Sequence, residues 1–342
     1  MRCDRFLAGA LLAAATLLPA LATAQTVLRF AQFTPRTHFY HQQVMEPWIA
    51  DIEKATEGRV KIEVTTAPLG PMPRNFDLVK SGVADMAAGN HGVIYGRFGV
   101  TQITEVPFED ETDPVAVSVA LWRTHERFLA KANEHDGTVL LALHTSGSMG
   151  LFSRDKPIRT KADMAGMKWL APTNTGAQAV RNLGGVPVVK PVPEYYDTIS
   201  KGVVDAMLST NTAVAGWKAE EFIKHQTRVP GGVLYATFFV VMNKAKFDAL
   251  DKRDQDAIMR LSGEAYARRA GQVFKEQDEK TMAARRERVQ IIEASPEFRK
   301  EIVKAFDFVD DEWMKKAAAA GIDGKAALDY FRREALTLTQ KK

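Results

Sequence analysis

A repeating strand–helix pattern in residues 163–209 is the feature that most restricts the fold of this chain. The predicted strands are residues 168–170, 186–189 and 203–208, and the helices between them are residues 174–183 and 194–201. Strands joined by single short helices run parallel, so the loops after their carboxyl ends gather around one crevice. The pattern therefore predicts an α/β fold with candidate ligand-binding loops after Leu170 and after Leu208.

The first part of the chain shows the same alternation. Its predicted strands are residues 27–30, 59–65, 83–87 and 138–144, and its predicted helices are residues 38–57, 77–80 and 117–132. The first three strands end in loops with polar or aromatic side chains, such as GNHGVIYGRF at 89–98. These elements predict a first lobe, separate from the unit at 163–209.

Two crossings between the lobes are expected. Residues 146–158 lead from the first lobe to the second and form a candidate hinge, and a predicted strand at 238–242 returns to the first lobe. The result would be a two-lobed clamp. The boundaries place residues 25–148 and about 236–275 in the first lobe, and residues 149–235 and about 276–342 in the second.

The last third of the chain has a helical composition from Asp254 nearly to its end. Glycine and proline are scarce from 264 to 295, so we expect a long helix there that braces both lobes from behind. The segment RRERVQIIE at 285–293 fits a solvated face of that helix better than a phosphate-binding patch.

The N-terminus has the pattern of a cleavable signal peptide. Arg2 and Arg5 precede an apolar segment at 6–18, and residues 22–24 form a small-residue cleavage site. Cleavage after Ala24 predicts a periplasmic protein. The alternative, an uncleaved anchor, is disfavoured because the apolar segment is short for a spanning helix.

Cysteine and charge exclude several classes of function. The single cysteine, Cys3, lies in the leader, so the mature chain would have no disulfide and no thiolate metal site. His38 and His41 lack the spacing of a helical metal pair, and we expect no metal and no cofactor. The net charge of +4 comes from interleaved acids and bases, which argues against nucleic acid as a partner. No second long apolar segment occurs, so no membrane span is expected after cleavage.

Seven segments, in this order and spacing, resemble the periplasmic solute-binding proteins of tripartite ATP-independent (TRAP) transporters, the DctP-like family. They are TPRTHFYHQ at 34–42, EGRVKIEV at 57–64, PLGPMPRNFDLVKSGVADM at 68–86, EVPF at 105–108, SRDKPIRTKADMAGMKW at 153–169, LGGVPVVKPVPEYYDTISKGVVDAM at 183–207 and FFVVMNKAKFDAL at 238–250. The resemblance implies a two-lobed fold like that of type II periplasmic binding proteins, closure on a small organic solute, delivery to the membrane subunits of a TRAP permease, and no catalytic function.

Two departures from that family concern the ligand. At the position of Leu170, most members have an arginine that forms a bidentate ion pair with a substrate carboxylate. The leucine side chain cannot form a hydrogen bond. A proline, often with an acidic or aromatic residue, is usual where this chain has the uncharged residues 210–212. If the ligand is an organic acid, possibly an aromatic or branched monocarboxylate, its charge must be met elsewhere, and the first lobe is the expected source.

The candidate ligand-binding residues are Arg36, His38, Arg74, Asn90, His91, Trp169, Leu170, Thr210, Asn211, Phe238 and Phe239. Arg36 is the first replacement for the missing arginine, although a solvated loop charge is an equal interpretation; Arg74 and Arg97 are weaker replacements. His38 can equally be a packed or helix-capping residue. The aromatic residues, with Trp217, can form an apolar wall, although aromatics on strands usually lie in the core.

Other functions stay open at this point. The ligand can be a neutral or zwitterionic solute, and the receptor can serve an ATP-driven importer or a sensor kinase. A secreted α/β hydrolase would need a nucleophile such as Ser148, but SGSMG at 146–150 does not match the G-x-S-x-G elbow because its first residue is Ser146.

Overall fold

The computed structural model describes residues 25–108, 112–230 and 232–340, and it contains two β-sheets flanked by helices. The predicted signal peptide at 1–24 lies outside the described residues. The strands are β1 Thr26–Ala31, β2 Val60–Val64, β3 Met86–Asn90, β4 Thr138–Ser148, β5 Gly150–Ser153, β6 Lys168–Ala171, β7 Val186–Val189, β8 Ala206–Ser209, β9 His225–Arg228, β10 Tyr235–Asn243 and β11 Gln290–Glu293. The helices are α1 Glu46–Ala55, α2 Asn75–Lys80, α3 Pro114–Thr124, α4 Lys161–Met164, α5 Asn174–Asn182, α6 Tyr195–Ser200, α7 Asn211–Gly216, α8 Lys244–Asp248, α9 Lys252–Leu261, α10 Gly263–Arg285, α11 Pro296–Ala305, α12 Asp307–Ala319 and α13 Gly324–Gln340.

The first sheet has five strands in the order β2-β1-β3-β10-β4. Strand β1 is parallel to β2 and β3, as expected for strands joined by helices, whereas β10 is antiparallel to both β3 and β4. Strand β10 therefore lies inside this sheet although the chain reaches it only after forming five of the six strands of the second sheet. We call this sheet and the helices packed on it the first lobe.

The second sheet has six strands in the order β11-β9-β5-β8-β6-β7. Strand β6 is parallel to its neighbours β7 and β8, and these three strands form the strand–helix repeat of residues 163–209. Strand β5 is antiparallel to β8 and β9, and β11 is parallel to β9 at the edge. We call this sheet and the helices packed on it the second lobe.

The chain passes between the two sheets at β4–β5, at β9–β10 and along α10. Helix α10 has 23 residues and packs against α3 and β4 of the first lobe and against α7 of the second. It therefore braces both lobes. Helix α13 packs on α3 in the first lobe, whereas the sequence placed residues 276–342 with the second lobe.

The long helix is shorter than the sequence indicated. It ends at Arg285, and Gln290–Glu293 form strand β11, so the interpretation of residues 285–293 as a solvated helix face was wrong. Arg285 is 1% exposed. Four residues are too few for a strand period to stand out from the helical surroundings, and β11 depends on its pairing with β9.

Three further elements differ from the prediction. The helix expected at 38–57 opens with a π-helical turn at His41–Met45 and is α-helical only over α1. The strand expected at 83–87 is β3, Met86–Asn90, because the low strand propensity of Gly89 and Asn90 is overridden by their pairing with β10. The strand expected at 203–208 is β8, Ala206–Ser209. Across the three described ranges, every helix is too short or too polar to traverse a lipid bilayer.

Candidate functional site

A cavity of about 60 Å³ lies between the two lobes. The first lobe lines it with Phe33, Thr34, His38, Phe39, Tyr40, Asn90, His144, Ser146, Ala236, Phe238 and Phe274. The second lobe lines it with Pro172, Val192, Tyr195, Ser209, Thr210, Thr212, Ala213 and Trp217, and Met149 lies at the crossing. The loops after β6 and β8 both reach the cavity, as the carboxyl-end rule requires.

Stacked rings form the wall on the first lobe. Phe238 of β10 lies parallel to His144 of β4, with ring centres 5.1 Å apart and planes 7° apart. Phe33 stacks on Phe238 from the loop after β1 at 6.4 Å, and Phe274 of α10 does so at 6.2 Å. Neighbouring strands hold the first pair in register, because Phe238 is the direct partner of His144 in the β10–β4 ladder.

A chain of hydrogen bonds fixes His144 within this wall. His144 Nε2 lies 3.1 Å from Tyr40 Oη, which in turn lies 2.8 Å from Tyr266 Oη. Burial lowers the pKa of His144 to about 3, so the ring is neutral near pH 7. His144 therefore presents an aromatic face to the cavity rather than a positive charge.

His38 also lines the cavity as a neutral ring. Its Nδ1 accepts a hydrogen bond from the Tyr40 backbone N–H at 3.2 Å, so the remaining ring proton is on Nε2. Burial, and secondarily the neighbouring His41, lower the pKa of His38 to about 4. Its ring lies 5.6 Å from that of Trp217, which belongs to the other lobe.

Several polar groups in the cavity have unused hydrogen-bonding capacity. Thr34 Oγ1 is buried without a partner among the described residues. Tyr195 Oη and Ser209 Oγ are buried neighbours whose polar contact, within the same residues, is with each other. Asn90 Oδ1 accepts from the Gly92 N–H at 2.7 Å, which leaves its Nδ2 group for the cavity. Buried polar groups in native proteins usually have partners, so these four are candidates for ligand contact.

No aspartate, glutamate, lysine or arginine side chain in the described part of the chain lines this cavity. A buried cation, Arg285, lies behind the turn that carries Thr210. Arg285 Nη1 donates to Asn211 Oδ1 at 2.6 Å and its Nη2 donates to the Asn211 carbonyl at 3.2 Å. Asn211 is the first residue of α7, so Arg285 holds the turn that presents Thr210 to the cavity.

Four of the residues chosen from sequence line the cavity: His38, Asn90, Thr210 and Phe238. Thr210 also caps α7, because its Oγ1 accepts from the Ala213 N–H at 3.0 Å. Trp217, considered for the apolar wall, lines the cavity as well.

The other seven lie elsewhere. Arg36 is exposed and donates to the Val64 carbonyl at 3.0 Å, and Arg74 is exposed at the start of α2. Phe239 points to the opposite face of β10 from Phe238 and packs against Phe76 and His91. The remaining four, which are buried and do not line the cavity, are His91, Trp169, Leu170 and Asn211.

Sequence reasoning missed several residues of the cavity. They are Phe33, Thr34, Tyr40, His144, Tyr195, Ser209 and Phe274. His144 and Ser209 are at or near the carboxyl ends of strands, so the carboxyl-end rule could have identified them. Phe274 lies in a helix far from the rest in sequence, and no local pattern marks it.

Comparison with known proteins is decisive for the family. Residues 30–317 match the bacterial extracellular solute-binding proteins of family 7, DctP. The chain belongs to the DctP family.

Three proteins similar to this DctP-family protein match it along nearly their whole length. It is 30% identical to a protein of Comamonas testosteroni named outer membrane transporter protein TsaT, over 98% of this chain and 99% of that one. It is 31% identical, with a TM-score of 0.88, to a TRAP periplasmic solute-binding protein of Bordetella bronchiseptica with bound (R)- and (S)-mandelate, covering 92% of this chain and 99% of that one. A TRAP solute-binding protein of Rhodoferax ferrireducens in complex with copurified benzoate gives 26% identity and a TM-score of 0.85, with the same coverage. The two-lobed fold and the identification from sequence are thereby confirmed.

Proposed function

We propose that this DctP-family protein is the extracytoplasmic receptor of a TRAP transporter and that it binds an aromatic monocarboxylate in the cavity between its lobes. The observation that carries the proposal is the lining itself. Stacked aromatic rings line a cavity that no charged side chain of the described residues faces, beside buried hydroxyls with unused hydrogen-bonding capacity.

The rings provide a site for a flat apolar body. Burial of roughly 150 Å² of an aromatic ring is worth about 4 kcal/mol at 25 cal/mol per Å². That free energy corresponds to only about millimolar affinity. The polar groups of the ligand must therefore contribute the rest, and the cavity has to offer them partners.

Uncharged donors suit one ionised carboxylate. The hydroxyls of Thr34, Tyr195 and Ser209 and the Nδ2 group of Asn90 can each donate to a carboxylate oxygen. A hydrogen bond to a charged group is worth about 1.5 to 3 kcal/mol, so two of them suffice for micromolar binding. These residues take the role that arginine has in most family members, and Leu170 is buried in the core.

The same lining disfavours a zwitterionic ligand. An ammonium group would need a carboxylate or several acceptors, and no acidic side chain of the described chain faces the cavity. The bound mandelate and benzoate of the two similar structures support an aromatic acid.

The remaining parts of the proposal concern the cell. The leader is cleaved after Ala24, and the closed receptor delivers its ligand to the TRAP permease subunits. The lobe boundaries fall near residues 148 and 235.

The protein is not an enzyme under this proposal. Ser148 Oγ contacts the backbone of Met149 and Val233 rather than a histidine. Neighbouring genes for paired membrane subunits support this transporter class, and a gene for an ATPase subunit opposes it.

The test is titration calorimetry of purified protein with four compounds that each carry one phenyl ring: benzoate, (R)-mandelate, benzamide, which has the shape of benzoate, and L-phenylalanine. We expect the two acids to bind at micromolar concentrations and the other two to bind at least about 100-fold more weakly, because one lacks the anion and the other adds an unpaired ammonium. If benzamide binds as tightly as benzoate, the cavity does not recognise the carboxylate. If none of the four compounds binds, the proposal of an aromatic monocarboxylate ligand is refuted.

A further inference from the structure

Gly92 lies where the two lobes meet beside the cavity. It is in the short helical turn His91–Val93 of the first lobe, and its backbone N–H donates to Asn90, which lines the cavity. A Cβ atom at Gly92 would be 2.6 Å from the Thr173 Cγ2 methyl of the second lobe. Thr173 directly follows Pro172, another residue of the cavity wall.

The methyl of Thr173 has little freedom to move away. Thr173 is the N-cap of α5, and its Oγ1 accepts from the Gly176 N–H at 3.1 Å. Rotation of the side chain would take the hydroxyl away from the helix end, and loss of such a cap costs about 1 kcal/mol. On the first-lobe side, the oxygens Asn90 Oδ1 and Glu105 Oε1 would each be 3.2 Å from the same Cβ. The space beside Gly92 is therefore tight on that side as well.

A polar contact between the lobes lies next to this one. Glu105 is 2% exposed in the first lobe; its Oε1 accepts a hydrogen bond from Gln102 Nε2 of the same turn at 3.1 Å, and its carboxyl group lies near the Thr175 side chain at the start of α5. The close approach at Gly92 brings this part of α5 within reach of Glu105.

The backbone of Gly92 does not itself require glycine, because its φ lies outside the left-handed region. The missing side chain therefore matters for the approach of the other lobe and not for the local turn.

We propose that Gly92 is a positioning residue for ligand binding, whose lack of a side chain lets the second lobe close against Asn90 and Glu105. The inference rests on the proposed function in one respect, that the ligand binds in the interlobe cavity. A methyl group at position 92 would clash with Thr173 of the second lobe at 2.6 Å and oppose the closed arrangement, whereas its first-lobe neighbours at 3.2 Å would need to shift by only a few tenths of an ångström.

Gly216 is a second place of this kind. It ends α7 in the second lobe, and a Cβ there would lie 2.8 Å from His38 Nε2 of the first lobe. Alanine is a better helix former than glycine, so Gly216→Ala is expected to keep or raise the stability of the ligand-free protein while it weakens ligand binding.

The experiment compares the wild type with Gly92→Ala, the double variant Gly92→Ala/Thr173→Ser, and the control Gly70→Ala. Serine keeps the capping hydroxyl of Thr173 and removes the obstructing methyl. At Gly70 a Cβ would have 3.8 Å to its nearest neighbour, so alanine fits there. Benzoate affinity is measured by calorimetry, and thermal unfolding of the ligand-free proteins shows that each variant is folded.

We expect Gly92→Ala to weaken benzoate binding roughly 10-fold or more, since overpacking of that size opposes the closed state. The double variant should recover most of the affinity, and Gly70→Ala should bind as the wild type does. Wild-type affinity of Gly92→Ala, or a loss that Thr173→Ser does not reverse, would overturn the inference.

Spin labels on the two lobes distinguish failure of this inference from failure of the proposed function. Lys61 and Lys201 are exposed, one on each lobe. The chain from Gln25 onward contains no cysteine, so spin labels react selectively with the double substitution Lys61→Cys/Lys201→Cys. If benzoate binds neither to the wild type nor to Gly92→Ala, the proposed function fails. The distance distributions of the two ligand-free proteins then test the inference about Gly92. A smaller closed fraction in Gly92→Ala than in the wild type supports the inference, and equal fractions overturn it.

Discussion

Two adjacent phenylalanines on β10 should respond to mutation in opposite ways. Phe238 faces the cavity and stacks on His144, whereas Phe239 is fully buried on the other face, where it packs against Phe76, His91 and Phe98. The two differ by one position in a strand, so their side chains point to opposite faces of the sheet. Substitution of each by alanine removes the same atoms from different surroundings.

The expected magnitudes differ accordingly. Phe239→Ala leaves a cavity in the core and should lower the free energy of unfolding by about 3 to 5 kcal/mol. Phe238→Ala removes one ring from the ligand wall and should weaken benzoate binding by about 1.5 to 3 kcal/mol, which is roughly 10- to 150-fold. Its effect on the ligand-free protein should be smaller than that of Phe239→Ala, because Phe238 is only partly buried.

Urea unfolding without ligand and calorimetry with benzoate separate the two effects. Binding is measured at low temperature, where the folded fraction of each variant is first verified, and Phe239→Leu serves as a milder variant if the alanine protein does not fold. The reasoning fails if Phe238→Ala binds benzoate like the wild type, or if folded Phe239→Leu loses as much affinity as Phe238→Ala.

Two further predictions concern buried ionisable groups. Burial lowers the pKa of His38 and His125 to about 4 and that of His91 and His144 to about 3, so below pH 6.5 the unfolded state binds more protons than the folded state. The free energy of unfolding should therefore fall as the pH falls, by about 2 kcal/mol per histidine at pH 5 relative to pH 7.5, and urea unfolding that is equally or more resistant at pH 5 would contradict this. Arg285→Met should lower the free energy of unfolding by about 3 kcal/mol because it removes the hydrogen bonds to Asn211 and Gln226 and leaves the Glu220 carboxylate without this cation. Arg285→Lys should not recover the lost stability, because an ammonium group lacks the planar pair of N–H donors that bond to both oxygens of Asn211. Urea unfolding of the lysine variant at the wild-type midpoint would refute the need for a guanidinium group.

Much of the fold could be read from local patterns. The predicted strand at 186–189 matches β7, and the predicted strand at 168–170 differs from β6 by one residue, because Pro, Gly and β-branched residues mark their ends and interiors. The short edge strand β11 could not be predicted, since its four residues become a strand only through pairing with β9. Strand β3 was misplaced for a related reason: residues with poor strand propensity are held there by β10 from far along the chain.

The site was less predictable than the fold. The carboxyl-end rule indicated the turn at Thr210 and the glycine-rich segment drew attention to Asn90, and both residues line the cavity. The same reasoning could not tell Phe238 from Phe239, because alternation in a strand says that one of them faces the cavity and not which one. Arg36 was chosen for its charge and its loop, yet its guanidinium contacts the backbone of β2.

The sequence by itself determined the family, the α/β architecture and the absence of an arginine at Leu170, because order, spacing and residue type are properties of the chain. Only the tertiary structure decided which side chains line the cavity and where the lobes touch. Phe274, Tyr195 and Phe33 come from three distant segments, and Gly92 matters through a methyl group 81 positions away. Such groupings depend on the face each element turns inward, and that is set by packing against partners that local sequence does not record.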